Sequence, residues 1–479
     1  NQRCEPPLDE DEVRQVLAGA FKYPAGFALT DLGNGERFAD THSRDARFVD
    51  QRGWATWAGH RWDFDGAKSR VMLLQANVVR SLYAQAAHES DDEQRKRVVS
   101  HARASESRQK LEAAVALAAW QPEIADSIVK FDANPSLVGV RNGVYDLEKD
   151  EFRAGHPDDR ISLCADVDFD PAAVCPRWQK FQEEIHPNDA ELVRFKKRAW
   201  GYTLSGDTSE QVIFLCYGEG ANGKTTEQNA IFATLGSYAK KVQPETLLTR
   251  DRGGANNDIA RIRGARFVAT VELEDGGRIA ESLIKQLTGS DVMTARFLYN
   301  EFFEFRPTAK IWLATNHKPE VAGTDHAIWR RIVLVPYDAR FNAQSRDKSL
   351  EAQLLAERSG ILNWLIAGYR EWRDVGLSPP STILAATASY RDEMDRIGNF
   401  LRECCIHGPS VRGRTAAAQL YREYKGWTEG NSQRPLSAKK FHERMERDHQ
   451  QRRVDGNRGR LADYPNLVLI SSRYPDADM

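Results

Sequence analysis

Nine consecutive residues, Gly218, Glu219, Gly220, Ala221, Asn222, Gly223, Lys224, Thr225 and Thr226, carry the clearest chemistry in the chain. They follow the apolar run VIFLCY at 212–217 and precede EQNAIFATLG, which has helical character. The spacing fits G-x-x-x-x-G-K-[ST] in a strand–loop–helix setting. Glycines let successive backbone N–H groups turn inward around a phosphate, at the positive end of a helix. Lys224 would neutralise the β- and γ-phosphates of a nucleotide, and Thr225 would ligate Mg²⁺. The bland alternative is a Gly-rich turn that happens to contain Lys-Thr. Such a loop needs an acidic partner, and the next strong strand, 266–271, ends in Glu272 and Glu274. Two carboxylates at the tip of a core strand suit metal binding and water activation, and alternation points both to one face. Glu272 is expected to do the metal and base work with Glu274 in support; a solvated strand end is the alternative. The strand IWLAT then ends in Asn316, placed either to sense the γ-phosphate and orient water or to serve as a turn residue beside His317 and Pro319. Arg330 and Arg331 stand at the start of the strand RIVLVPY. An arginine supplied by a neighbouring subunit can stabilise charge on a transferred phosphoryl group. Adjacent arginines at a strand start are more often surface ion-pair partners.

These residues require a scaffold, and 479 residues are longer than one core usually serves, so about three domains are expected. Lys plus Arg total 67 and Asp plus Glu 69, a net charge of −2, which excludes a uniformly basic nucleic-acid coat and an acidic disordered tail. The six cysteines form no Cys-x-x-Cys or Cys/His cluster, so reduced thiols in a cytosolic setting are expected rather than zinc or disulfides. No apolar run approaches the roughly 18 to 20 residues of a membrane span, and no signal peptide is expected. The first residue is Asn1, which points to a piece of a longer polypeptide. Residues 1–35 read as a lead-in, with a short helical stretch (Val13, Val16, Leu17, Ala20) stopped by Pro24 and Gly26. Residues 36–175 read as an α+β unit: short strands over 37–65, helices over 68–131, strands over 137–152. Over 176–345, helices alternate with the strands VIFLCY, ARFVATVEL, AKIWLATN and RIVLVPY, which argues a three-layer α/β core. A helical connector at 346–395 and a small basic α+β tail at 396–479 complete the chain.

In chain order, GEGANGKTT, VELE, KQLTGSD with TARFLY and FEF, LATNHKP and IWRRIVLVPY resemble the motifs of superfamily 3 helicases. The likeness is to the poxvirus-NTPase-like branch found in phage and plasmid primase–helicases. Upstream, DLGNGERF, GWATWAGHRW and RNGVYDL are similar to the domain preceding the helicase core in that branch. PPLDEDEV and FKY resemble the region that follows a primase–polymerase domain in fused forms. The resemblance implies an AAA+-like P-loop core behind a collar-type domain, ATP and Mg²⁺ at the subunit interfaces of a homohexamer, and movement 3′ to 5′ along single-stranded DNA. It assigns Lys224 and Thr225 to the phosphate loop, Glu272 and Glu274 to the acidic motif and Asn316 to the sensor. Arg331 matches the finger supplied in trans most closely, with Arg330 the alternate. Between the acidic strand and the sensor, the superfamily projects a hairpin into the ring channel. Here Tyr299 and Asn300 fall at its tip, with Arg296 and Lys285 at its base, as the expected DNA contacts. The Lys-His tip of some viral members is absent, and a structural hairpin packing Phe302 and Phe303 is the alternative.

Residues 437–460 hold eight basic side chains against four acidic ones. LYREYKGW, PLSAKKFHERMERDH and a Gly-containing hairpin look like a winged helix whose second helix starts after Pro435 with Ser437 as cap. Lys439, Lys440, Arg444, Arg452 and Arg453 are the expected phosphate contacts to duplex or origin DNA; docking of a replication protein is the alternative. The run Asp166-Val-Asp-Phe-Asp170 suggests paired metal-binding aspartates, but Pro171 and the linker position argue against catalysis there. These features together suggest an ATP-driven replicative helicase of a phage, plasmid or integrated element, at a replication fork in a bacterial cytoplasm. A DNA-pumping ring ATPase is the rival, and a P-loop small-molecule kinase a more distant one.

Overall fold

A computed structural model describes residues 26–249, 257–270, 277–296, 302–321, 326–342, 347–431, 435–454 and 462–470. The helix expected over 13–20, Glu272, Glu274, Tyr299, Asn300, Arg458 and Arg460 lie outside the described residues. The chain divides into two compact units.

The first unit comprises the chain up to Ala173 with Ala233–Tyr238 and Arg296–Phe305. Its opening element corrects the expectation of a linker leading into strand, because Asp31–His42 is a helix. Thr30 caps it, accepting from the Gly33 N–H at 3.0 Å, and Asp31 complements the helix dipole. The glycines of DLGNG suggest a turn, yet Gly35 serves a close helix contact. A Cβ there would lie 3.0 Å from Ala114 O and Ala118 N of the helix Arg108–Ala118. The strands Ala46–Val49, Gly53–Trp57 and Trp62–Asp63 appear within the expected region, and Ala125–Asp126 joins them as a parallel edge. Phe38, Val71, Val78 and Val115 form the core against this sheet. A separate three-stranded sheet holds Leu137–Val140, Gly143–Asp146 and Glu151–Arg153. Asp166 engages Arg141 at 2.5 Å and the segment is not a strand, so nothing there resembles a two-metal site.

Asp126 ties this unit together. Its carboxylate, only 2% exposed, meets Arg160 at 2.7 Å, Lys130 at 3.1 Å and Arg47 at 3.8 Å. Burial alone would raise its pKa; Lys130, the Ser127 amide and Arg160 outweigh that and hold it below the ordinary aspartate value. A depressed carboxylate pKa contributes stability above its unfolded value, and that stability is lost as pH falls through the folded pKa. Asp126→Asn should therefore cost about 3 kcal/mol at neutral pH and progressively less below pH ~4. Urea titrations at both pH values check this; an equal loss at both would refute it.

The second unit holds Val174–Phe232, Ala239–Ala295 and Arg306–Met479. Its centre is a parallel five-stranded sheet of β1 (Ile213–Tyr217), β2 (Ala239–Val242), β3 (Phe267–Thr270), β4 (Lys310–Thr315) and β5 (Ile332–Pro336). The spatial order is β5-β1-β4-β3-β2. The sequence shows four of these strands plainly. The edge strand β2 reads AKKV, half polar, and carries no apolar signal strong enough to find. On one face Trp312 of β4 stacks on Trp200, with centroids 3.6 Å apart and planes 3° from parallel, and on Phe214 at 4.2 Å. At the opposite end from the loop 218–226, fully buried Lys310 donates to the carbonyls of Ser205, Asp207 and Thr308, and burial lowers its pKa.

The segment expected as a connector belongs to this core. Its helix Arg358–Val375 packs on Ala190–Leu204 at a glycine crossing. A Cβ on Gly201 would lie 2.1 Å from Tyr369 N, and one on Gly368 would lie 2.1 Å from Lys197 O. The tail runs helix Arg396–Cys404, strands Cys405–His407 and Arg414–Ala416, helices Ala417–Gly430 and Ala438–His449, then strands Asp463–Pro465 and Leu467–Leu469. The last two strands pair antiparallel with the first two. Ser437 caps the second of the paired helices as expected, accepting from Lys440 N–H at 3.4 Å. The five described cysteines are free thiols. Among the described residues, no helix is long and apolar enough to cross a membrane.

Candidate nucleotide site

The loop 218–226 leaves the C-terminal end of β1 and feeds the helix Lys224–Leu235. Gly220 (φ +94°) and Gly223 (φ +88°) take the left-handed conformation that admits a tight reversal, and Ala221 between them shares it at φ +47°. A Cβ at Gly223 would strike Ile185 Cγ2 at 2.4 Å, so glycine is required there for space as well as for backbone shape. Lys224 is 3% exposed. Its ammonium donates to Gly218 O at 2.5 Å and to Asn316 Oδ1 at 3.0 Å. Asn316 follows β4, the sheet neighbour of β1, in a register that sets Thr315 opposite Tyr217. Two residues separated by 92 positions, each picked out by its motif, thus share a hydrogen bond. Glu219, Ala221 and Thr225 are exposed, Glu219 pairing with Arg340, while Gly220 and Thr226 are half-buried. Asn222 is buried and donates to Tyr337 O at 3.1 Å. The strand β3, which leads to Glu272 and Glu274, borders β4 on the side away from β1.

Arg330 and Arg331 lie elsewhere. The Arg331 carbonyl accepts from Ile213 N–H at the start of β1, so the pair sits at the end of the sheet opposite the loop. Five strand residues separate those ends by roughly 17 Å. Neither arginine serves its own chain's loop. Arg331 is buried and donates to Thr288 Oγ1 at 3.2 Å, Ala327 O at 2.7 Å and Gln211 Oε1 at 3.3 Å. Arg330 is exposed, touching Gln211 Oε1 at 3.2 Å, and lines a cleft of about 680 Å³ with Arg391, Arg447, Asp392, Asp395 and Asp448. Arg331, which the resemblance favours as the reaching residue, has these donors engaged within its own chain, and Arg330 is the more exposed of the two.

Of the expected DNA contacts, Lys285 ends the helix Glu281–Thr288 half-buried, and Arg296 is exposed with its guanidinium 4.8 Å from the Phe302 ring centroid. Phe302 is 62% exposed, against the alternative that it packs inside a structural hairpin. Strand alternation buries Phe303 and Phe305 instead. In the tail, Lys439, Lys440, Arg452 and Arg453 are exposed and Arg444 half-buried. Lys439 lies 4.0 Å from Glu443 and Arg452 3.8 Å from Glu446, so the basic face is interleaved with acids.

Motif reasoning missed a buried polar cluster behind the loop. Lys196 and Glu227, both fully buried, meet at 2.9 Å. Glu227 also accepts from Trp200 Nε1 at 2.7 Å and from the Tyr337 hydroxyl. Lys196 lies 2.7 Å from His186 Nε2, and burial, then the ammonium, push that imidazole far below its ordinary pKa. A charged Lys196 would donate to Nε2 of a neutral His186. Burial lowers the Lys196 pKa, opposed by Glu227. Burial, then Cys216 and Glu227, raise that of Tyr337. The only sequence signal was a lysine on the apolar face of the helix Ala190–Leu204.

Two family models match the chain: a D5 N terminal like family over residues 35–187 and a family of unknown function (DUF5906) over 216–331. The "Putative helicase L207/L206" of Acanthamoeba polyphaga mimivirus is 29% identical over 325 residues, which are 63% of this chain and 34% of that protein. "Primase D5" of Fowlpox virus is 28% identical over 229 residues, 44% of this chain and 28% of that protein. Among solved structures, the apo NrS-1 C terminal region aligns over 75% of this chain and 90% of its own, at 10% identity and a TM-score of 0.43. The chain spans about a third of the length of these curated relatives. It is thus similar to proteins named putative helicase and primase in large DNA viruses, where the sequence resemblance pointed to phage and plasmid proteins.

Proposed function

We propose that this chain is the ATP-hydrolysing helicase part of a primase–helicase, moving along single-stranded DNA at a replication fork as a homohexameric ring. The observation that carries this is the Lys224–Asn316 contact, which joins the phosphate-loop lysine to a polar strand end on the neighbouring parallel strand. The names of the viral relatives support the activity class. The loop fits a nucleotide: two left-handed glycines, a buried lysine and an exposed threonine converge at one helix start. Lys224 would hold the β- and γ-phosphates of ATP. Thr225 and Glu272 would hold Mg²⁺, which neutralises charge on the transferred phosphoryl group. Glu272, with Glu274, would take the proton of the attacking water, and Asn316 would orient that water.

Arg330 is the residue we place at the seam, completing the neighbouring subunit's site, because it is exposed while Arg331 is internally bonded. The surface pair Arg296 and Phe302 suits a strand bound through phosphates and stacked bases. We read the tail as winged-helix-like, and it would engage origin DNA or a replication protein through Lys439, Lys440, Arg444, Arg452 and Arg453.

Light scattering with MgATP, joined to unwinding of 3′-tailed forks, tests the proposal. A monomer with full turnover would refute the ring, and hydrolysis without strand separation would favour a DNA pump. Arg330→Ala should bind ATP within about twofold of wild type yet hydrolyse it at least about a thousandfold more slowly. Mixing with Lys224→Ala subunits should restore part of the activity. Normal hydrolysis by Arg330→Ala alone would remove it from the seam.

A further inference from the structure

Tyr337, the first residue after β5, bonds to the chain before, within and after the phosphate loop. Its N–H donates to Tyr217 O, just before the loop, at 2.8 Å. Its carbonyl accepts from the Asn222 amide, inside the loop, at 3.1 Å. Its hydroxyl donates to Glu227, in the first turn of the helix after the loop. Gly218 shows how tightly this closes, since a Cβ there would lie 2.3 Å from both Asn222 Nδ2 and Tyr337 O. The chain then continues alongside, Phe341 N–H donating to Ala221 O at 2.8 Å and Arg340 pairing with Glu219. Residues 337–341 thus brace 217–222 along its length. Behind the brace, Glu227 is held by Trp200 and Lys196, and Lys196 by His186 and the Tyr337 ring at 4.7 Å.

A buried ion pair is a poor device for stability alone, because an apolar pair of similar volume serves as well or better. What a carboxylate with three directed donors adds is a fixed orientation for the element that bears it. Here that element is the helix start whose N–H groups would face phosphate. We propose that Tyr337 and Glu227 are positioning residues: they hold the loop in its phosphate-receptive shape before ligand arrives, so that binding does not have to order it. This rests on the nucleotide reading of the loop.

Tyr337→Phe removes only the hydroxyl and keeps the ring and the two backbone contacts; Glu227→Gln keeps an accepting oxygen and removes the charge. Calorimetric titration with ATP and with ADP on the full chain, steady-state kinetics and thermal melting test the proposal. Both nucleotides should bind about tenfold more weakly to each variant. KM for ATP should rise in step, while kcat stays within about twofold, the signature of lost uniform binding. Nucleotide affinities within twofold of wild type in a folded variant would overturn the proposal, whatever happens to the melting temperature. If one variant fails to fold, the other decides. Lys224→Ala serves as the control for the underlying reading: undiminished ATP binding and hydrolysis there would sink the nucleotide site itself, whereas a normal Tyr337→Phe with a dead Lys224→Ala would sink only the positioning role.

Discussion

Lys224→Ala is expected to lower ATP turnover by at least about a thousandfold while the protein remains folded. The structure carries Lys224 to the mouth of the loop, at hydrogen-bonding distance from both Gly218 O and the Asn316 amide oxygen. In a site shielded from water, charge on the transferred phosphoryl group depends on such a fixed donor, and water does not replace it. The structural cost is smaller. Two acceptors lose a donor, about 1–3 kcal/mol in total, in a unit whose sheet is held by extensive apolar packing. Lys224→Arg should fail nearly as completely, since a planar guanidinium does not match a 3% exposed position shaped for an ammonium. Phosphate release and a melting curve on the same preparation check both halves. Turnover within tenfold of wild type, with the fold intact, would discredit the site.

Lys196→Met carries the largest expected effect on stability, about 3–5 kcal/mol. It leaves the Glu227 carboxylate in the interior with Trp200 and Tyr337 as its neutral donors, and His186 without the donor at 2.7 Å. The cost comes from stranding a charge rather than from losing an attraction. The double variant Lys196→Met/Glu227→Gln should therefore be more stable than Lys196→Met, recovering over half of the loss, because both charges leave together. Urea denaturation of the two variants measures this. A double variant no better than the single one would mean that packing of the lysine stem, not the ion pair, governs the site.

Much of the second unit was legible because its signals are local. The glycines of 218–226 announce a backbone that other residues enter with strain, the strands VIFLCY, KIWLAT and RIVLVP are long apolar runs, and Ser437 announces a helix start through its own cap. Other features needed partners remote in sequence. The glycine at 35 looks like a turn residue until the helix Arg108–Ala118 is seen against it. The half-polar strand Ala239–Val242 is a strand because β3 pairs with it. Phe302 and Phe303 are adjacent aromatics of one type, and only the pleat decides that one is exposed and the other buried.

Sequence alone determined which residues can do chemistry: the loop at 218–226, the amide at Asn316 and the arginine pair at 330 and 331, since residue type and spacing are intrinsic to the chain. Tertiary structure decided which of them meet. Lys224 reaches Asn316 because β4 lies beside β1, Arg331 is locked because Thr288 and Gln211 surround it, and Glu227 acquires its lysine from a helix about thirty residues earlier. Hydrogen bonds form between neighbours in space, and a sheet order that runs β5-β1-β4-β3-β2 makes neighbours of residues the chain keeps far apart.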